Sequence, residues 1–115
     1  MNVEQQIDAI IAREGREFTN RGNDRGGPTR FGITAATLGA WRGLGRPASA
    51  DEVKALWEPE ARAIYMSEFI IKPGFEKIIN AHLRDVVVDF GVNSGPDDAA
   101  KALQYAANVK QDGIL

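Results

Sequence analysis

The chain has 115 residues, of which 43% are hydrophobic and 26% are charged, a composition typical of a single globular domain. Its formal net charge of −2 provides no overall positive field, so the composition argues against nucleic acid as a partner. Because the chain has no cysteine and only one histidine, His82, it offers neither a disulfide framework nor the usual zinc ligands. We therefore expect no metal and no cofactor.

The N-terminus lacks the features of a secretion signal. The first ten residues have no basic start followed by an apolar block, and no apolar run approaches the roughly 18 residues that span a bilayer. We expect a protein that is made in the cytoplasm and does not insert stably into a membrane.

The first predicted element is an amphipathic helix that ends at Gly15. Its apolar residues Val3, Ile7, Ile10 and Ile11 recur at helical spacing, and a glycine is a common stop signal. At 100° per residue, Glu14 falls almost directly above Ile7. We therefore predict that Glu14 lies on the buried side of the helix.

Residues 16–34 contain the densest turn signals of the chain and predict an irregular hairpin of two or three strands. A short helix then begins after Thr34, whose side chain can cap it. The stretch Ser49–Glu52 has the form of a capping box and opens another helix, which Pro59 should kink or restart.

The last third of the chain predicts two more helices. Residues 75–93 are apolar nearly all round the C-terminal half, which indicates a buried helix at the centre of the domain. Gly95 ends this helix, and Pro96 starts a final one. The predicted fold class is α-dominated (α+β): a helical domain around a central buried helix, with one small β-hairpin near the N-terminus.

The junction between the first helix and the hairpin carries the candidate chemistry. Cleavage of a glycosidic bond needs a carboxylic acid that holds a proton near neutrality, a state that desolvation favours, and Glu14 is the candidate. An inverting enzyme needs a second carboxylate about 6.5–9.5 Å away to hold water. A hairpin folded back over the helix end would place Asp24 at such a distance, and the hydroxyl of Thr29 could orient the same water.

Other hairpin residues suit sugar binding. Gly26 and Gly27 permit positive φ and a close approach of the backbone to a sugar ring. Asn20 and Asn23 offer amides to N-acetyl or hydroxyl groups. The larger aromatic residues are expected in the core rather than as sugar platforms; they are Trp41, Trp57, Tyr65 and Phe69.

Several of these residues form an ordered pattern that resembles a known family. The pattern is Glu14-Gly15, Asn23-Asp24, Gly26-Gly27, Thr29 and Phe31-Gly32-Ile33, and it continues in Ala61–Tyr65 and Val88–Gly95. It is similar to glycoside hydrolase family 108, the phage and prophage lysozyme-like N-acetylmuramidases of the secretion-activator type. The resemblance implies a lysozyme-like fold and hydrolysis of the β-1,4 bond between N-acetylmuramic acid and N-acetylglucosamine in peptidoglycan.

The resemblance also implies roles for individual residues. Glu14 matches the catalytic acid, and Asp24 and Thr29 match the pair that positions water. The substrate-binding residues implied are Asn23, Gly26, Gly27 and Phe31.

Two features depart from the family pattern. Arg16 stands where the family has a second glycine after the glutamate. Residues 1–95 match the catalytic domain, whereas residues 96–115 resemble the start of the family's C-terminal peptidoglycan-binding helical module, truncated after its first helix.

Three alternatives to a muramidase remain open. A lytic transglycosylase also works with one glutamate, although Asp24 and Thr29 favour hydrolysis. A non-catalytic wall-binding domain is consistent with Arg16 and the truncation. Residues 31–41 can be taken for a helix-turn-helix segment, but the acidic balance of the chain argues against DNA binding.

The partner expected for the leading hypothesis is the glycan strand of peptidoglycan. An endolysin-like protein made in the cytoplasm acts on the cell wall after release, through a phage holin or another export route. The sequence does not determine the oligomeric state.

Overall fold

The computed structural model describes residues 1–20 and 27–106 and is mostly helical. Two short strands, β1 (Thr29–Arg30) and β2 (Ile33–Thr34), form the sheet in this part of the chain. The helices, in chain order, are α1 (Val3–Glu14), α2 (Ala35–Arg42), α3 (Ala50–Lys54), α4 (Glu58–Ile64), a π-helical segment (Tyr65–Ile71), a 3₁₀ turn (Phe75–Lys77), α5 (Ala81–Ser94) and α6 (Pro96–Ala106). The predicted α-dominated class with a small hairpin near the N-terminus is confirmed.

The chain divides into two compact units. One consists of residues 9–63, and the other combines residues 1–8 with the chain from residue 64 onward. The division predicted from the sequence, at residue 95, concerns a different boundary and stays a prediction.

In the unit of residues 9–63, helix α1 ends as its sequence predicts. Gly15 has a φ of +84°, a left-handed conformation that favours glycine, and its N–H donates to the carbonyl of Ile11 at 2.9 Å. The chain therefore leaves the helix axis directly after Glu14.

The hairpin of this unit is built around a tight two-residue turn. β1 and β2 are antiparallel, with Thr29 opposite Thr34 and Arg30 opposite Ile33. The turn residues Phe31 and Gly32 have φ values of 55° and 76°, as a type I′ turn requires at both positions. Thr19 adds a bridge to Thr29 on the other side, so the described residues confirm the predicted irregular hairpin.

Both predicted helix caps in this unit are present. The Thr34 side chain accepts a hydrogen bond from the backbone N–H of Thr37, and Ser49 and Glu52 form a complete capping box. Pro59 lies in the first turn of α4, so it restarts a helix rather than kinking one. The apolar core of the unit includes Ile33, Leu38, Val53 and Leu56.

The second unit contains a wide helical segment that the sequence did not predict. Between Tyr65 and Ile71 the backbone is π-helical, and the N–H of Lys72 donates to the carbonyl of Ser67, five residues earlier, at 2.9 Å. Tyr65 and Ile70 are buried, and the rings of Tyr65 and Phe69 lie 5.4 Å apart.

The helix predicted over residues 75–93 begins later and is less buried than expected. Asn80 caps α5 by accepting from the N–H of Leu83, and only Phe75–Lys77 of the preceding stretch is helical, as a 3₁₀ turn. Val87 and Val88 are buried, but Leu83, Val86 and Phe90 are about half exposed. Helix α6 packs on one face of α5, where Gly91 brings the two helices close. The expectation of a helix buried all round is therefore wrong.

Polar contacts join the start of the chain to α5 in this unit. The buried side chain of Gln6 donates from Nε2 to Asp89 Oδ1 at 3.0 Å, and the N-terminal ammonium lies 3.4 Å from Asp85. Within residues 1–20 and 27–106, no helix is long and apolar enough to cross a membrane.

Candidate active site at the end of the first helix

The candidate acid, Glu14, is the last residue of α1 and faces solvent more than predicted. Its side chain is 29% exposed, and its Oε1 lies 3.8 Å from Nη2 of Arg13. The helix ends at this residue, and the row of exposed residues from Ala12 to Glu14 shows that its last turn is not covered. The prediction of a buried Glu14 is wrong.

The segment after Gly15 is fixed by two arginines. Arg16 places Nη2 at 2.6 Å from Oε1 of Glu58, at the start of α4. Arg30, on β1, donates from Nε to the carbonyl of Arg16 at 3.2 Å and from Nη1 to the carbonyl of Lys54 at 2.6 Å. The departure from the family pattern at Arg16 thus supplies a side chain that ties the helix exit to the start of α4.

Thr29 lies on β1, and its hydroxyl forms a hydrogen bond with the hydroxyl of Thr19. The two residues exchange backbone hydrogen bonds of 2.9 and 2.8 Å, and their Oγ1 atoms lie 2.5 Å apart. One hydroxyl hydrogen is used between the two oxygens, which leaves the second free to donate to a water or a substrate oxygen. The pair therefore retains the capacity to orient water that was predicted for Thr29.

Gly27 and Phe31, both predicted to bind substrate, lie in different surroundings. Gly27 has a φ of +60°, as expected for a turn glycine. Phe31 is only 3% exposed, and the Arg30 guanidinium lies 5.1 Å from the centre of its ring. Because the ring offers almost no surface to a sugar, we assign Phe31 to the core and the turn rather than to a binding surface.

The remaining predicted site residues, Asn23, Asp24 and Gly26, lie outside the described residues. Their roles, and the separation of the Glu14 and Asp24 carboxylates, stay predictions. Among the described residues, no group of three or more histidine or carboxylate side chains is placed to hold a metal ion.

The sequence reasoning missed several residues around this site. Thr19 and Glu58 carried no local signal, because their roles depend on which segments the fold brings together. Trp57 was expected in the core, but it is 66% exposed, so that expectation is wrong. Its neighbour Leu56 fills the core position instead, with no exposure.

Two ion pairs strengthen the helices of the same unit. Arg42 donates from Nε and Nη2 to the two carboxylate oxygens of Glu60, at 3.0 and 2.7 Å, and these bonds lower the pKa of Glu60. Arg46 holds Glu52 of the capping box at 2.8 Å. This hydrogen bond, together with that from the backbone N–H of Ser49, lowers the pKa of Glu52 to about 2.

The comparisons with known proteins agree with the fold. Residues 7–95 match the model of the family described as Glycosyl hydrolase 108. The solved structure of Brucella abortus SagA is 36% identical in sequence and superposes with a TM-score of 0.88. The match covers 97% of this chain, which spans 62% of the length of that protein chain. The curated proteins give no match.

The family model matches most of the chain. The fold is mostly helical with a small hairpin, and a glutamate ends its first helix. The chain belongs to the glycosyl hydrolase 108 family, as the sequence resemblance implied.

Proposed function

We propose that this chain is a peptidoglycan hydrolase that acts as an endolysin-like N-acetylmuramidase. The observation that carries the proposal is the position of Glu14 in a member of this family. It is the last helical residue before the left-handed Gly15, and the strand that bears Thr29 is the next helix or strand in the described part of the chain. The bond cleaved is the β-1,4 linkage between N-acetylmuramic acid and N-acetylglucosamine.

In the proposed reaction, Glu14 protonates the glycosidic oxygen of the leaving sugar. On the opposite face of the ring, Thr29, supported by Thr19, orients a water that gives a proton to Asp24. The oxygen of this water bonds to the anomeric carbon as the bond from that carbon to the leaving oxygen breaks. The Glu14 side chain is partly exposed in the free protein. This exposure is compatible with a role as the acid, because a bound sugar ring would itself exclude water from the carboxyl group. Asn23 and the backbone at Gly26 and Gly27 would contact the substrate.

The same proposal includes the route of the protein to its substrate. The chain is made in the cytoplasm and reaches the wall after release, through a holin or another export route. Its partner there is the glycan strand.

The direct test compares Glu14→Gln with Glu17→Gln, because Glu17 is an exposed carboxylate three residues away. We expect Glu14→Gln to keep the circular dichroism spectrum and melting temperature of the wild type and to lose the clearing of cell-wall suspensions. Glu17→Gln should clear them at a rate close to that of the wild type. Full lytic activity in Glu14→Gln would overturn the assignment.

Mass spectrometry of the products distinguishes hydrolysis from its nearest alternative. A hydrolase leaves a reducing N-acetylmuramic acid end, whereas a lytic transglycosylase leaves a 1,6-anhydro end. Anhydro products would replace the proposed hydrolysis by transglycosylation. Wall binding by the wild type without any product would indicate a non-catalytic binding domain.

A further inference from the structure

Trp57 presents a large apolar surface to solvent, and the backbone on either side of it is hydrogen-bonded. It lies between α3 and α4 with 66% of its surface exposed. The N–H of Leu56 donates to the carbonyl of Val53 at 3.1 Å, and the carbonyl of Trp57 accepts from the N–H of Ala61 at 3.2 Å. The indole of Trp57 is not buried in the core, and the neighbouring backbone is hydrogen-bonded. Its exposed ring can therefore serve as a binding surface.

Contacts on both sides of Trp57 connect it to the candidate active site. On one side, its neighbour Glu58 pairs with Arg16, two residues after Glu14. On the other, the carbonyl of Lys54 accepts from Arg30, the residue that follows Thr29. The two helices that flank Trp57 are thus bonded to the segments that carry the proposed acid and the proposed water-orienting hydroxyl.

We propose that Trp57 is a sugar-stacking subsite for the glycan strand, adjacent to the bond that Glu14 cleaves. The face of an indole ring is electron-rich, and the apolar face of a pyranose ring presents weakly positive C–H groups that pack against it. An N-acetylhexosamine of the strand stacks on the indole, while its hydroxyl and acetamide groups stay in water. The inference rests on the proposed function and assigns Trp57 to binding, not to the chemical step.

The binding test uses tetra-N-acetylchitotetraose and the Glu14→Gln variant, so that no cleavage occurs. The chain has two tryptophans, and a Trp57→Phe variant identifies which indole N–H signal in the NMR spectrum belongs to Trp57. We expect the Trp57 signal to shift on titration with the oligosaccharide. Binding of the oligosaccharide without a shift of that signal would overturn the proposal, as would the absence of binding at the highest soluble concentration of the oligosaccharide.

The kinetic test measures hydrolysis of soluble peptidoglycan fragments. Trp57→Ala should raise KM about tenfold and leave kcat within about twofold, because stacking contributes to binding in the ground and transition states alike. Trp57→Phe should lose much less, since a phenyl ring retains a stacking face. Ile79→Ala is the matched control, because Ile79 is a large apolar residue that is 97% exposed in the other unit.

The results separate this inference from the proposed function. If Glu14→Gln abolishes lysis while Trp57→Ala behaves like Ile79→Ala, the hydrolase stands and the subsite is wrong. If Glu14→Gln remains lytic, the catalytic assignment itself fails, and spectra recorded before the oligosaccharide is cleaved then decide the subsite on binding alone.

Discussion

The Arg16 guanidinium and the Glu58 carboxylate lie 2.6 Å apart, and this ion pair ties the exit of α1 to the start of α4. Arg16 occupies the position of a second glycine in the pattern that the chain otherwise resembles. The side chain gained there has a defined contact, so the substitution adds a connection that a glycine cannot make. The ion pair is exposed to solvent, with 67% of the Arg16 side chain and 33% of the Glu58 side chain accessible. This exposure limits how much the pair stabilises the fold.

A double-mutant cycle of Arg16→Ala and Glu58→Ala should give a small favourable coupling. We expect about 0.2–1 kcal/mol in the free energy of unfolding, because water and salt screen an exposed ion pair. Urea unfolding at low and high salt measures it, and the coupling should shrink at high salt. A coupling above about 2 kcal/mol, or one that is insensitive to salt, would contradict this account.

The hydroxyl pair of Thr19 and Thr29 should show a graded effect on turnover. Thr29→Val should lower kcat more than Thr19→Val does, because only Thr29 is proposed to contact the water directly. Serine at either position should restore most of the rate, since it keeps the hydroxyl. Steady-state kinetics with each variant test this, and a Thr29→Val enzyme of wild-type kcat would exclude a role for the pair in positioning water.

Gly39, in α2, should not tolerate a side chain. A Cβ atom built on it would lie 2.1 Å from the carbonyl oxygen of Arg46, which is backbone and cannot rotate away. Gly39→Ala should therefore destabilise the protein by at least about 2 kcal/mol. Denaturant unfolding is the measurement.

Gly91→Ala provides the contrast for Gly39. Gly91 is helical too, but a Cβ there would lie 3.5 Å from the nearest atoms, in ordinary contact. The higher helix propensity of alanine should leave its stability within about 1 kcal/mol of the wild type. Equal losses of stability in Gly39→Ala and Gly91→Ala would show that the nearby Arg46 carbonyl is not the cause of the destabilisation at Gly39.

The capping box should make stability depend on pH through Glu52. The Arg46 hydrogen bond and the Ser49 backbone hold the pKa of Glu52 at about 2 in the folded protein, below its ordinary value of 4.5. A lowered carboxyl pKa stabilises the fold above the unfolded-state pKa, and this contribution disappears as the pH falls from about 4.5 to about 2.

Melting temperatures of the wild type and Glu52→Gln should therefore differ most above pH 5 and converge toward pH 2. Glu76→Gln, at an exposed glutamate outside the capping box, serves as the control variant. A difference between wild type and Glu52→Gln that stays constant from pH 6 to pH 2 would count against the assigned hydrogen bonds.

The features that the sequence predicted correctly are those determined by neighbouring residues. Gly15 ends α1 because glycine readily adopts the left-handed conformation that the helix end requires. Ser49 caps α3 through Glu52, which is only three residues away. The start of α5 was predicted too early because the apolar spacing continues through Ile78 and Ile79, whereas the cap at Asn80 defines the helix. The spacing of apolar residues does not show whether the helix begins at residue 75 or after Asn80.

The features that were missed depend on long-range packing. The exposure of Glu14 and Trp57 reflects which elements cover them, and Leu56 rather than Trp57 takes the core position. The contact between Thr19 and Thr29 follows from the register of the hairpin, which no spacing rule specified. Asp24 could be predicted only through the family pattern, and its position lies outside the described residues.

The π-helical segment Tyr65–Ile71 has a consequence for comparing this chain with its relatives. Its turns hold more residues than an α-helix does, so the deletion of one residue can convert it to an α-helix without displacing its ends. Relatives can therefore differ by one residue here, inside a continuous helix rather than in a loop. For a relative that lacks one residue here, an alignment that forbids gaps within helices would shift every later position by one, and Asp89 would be paired with the wrong residue.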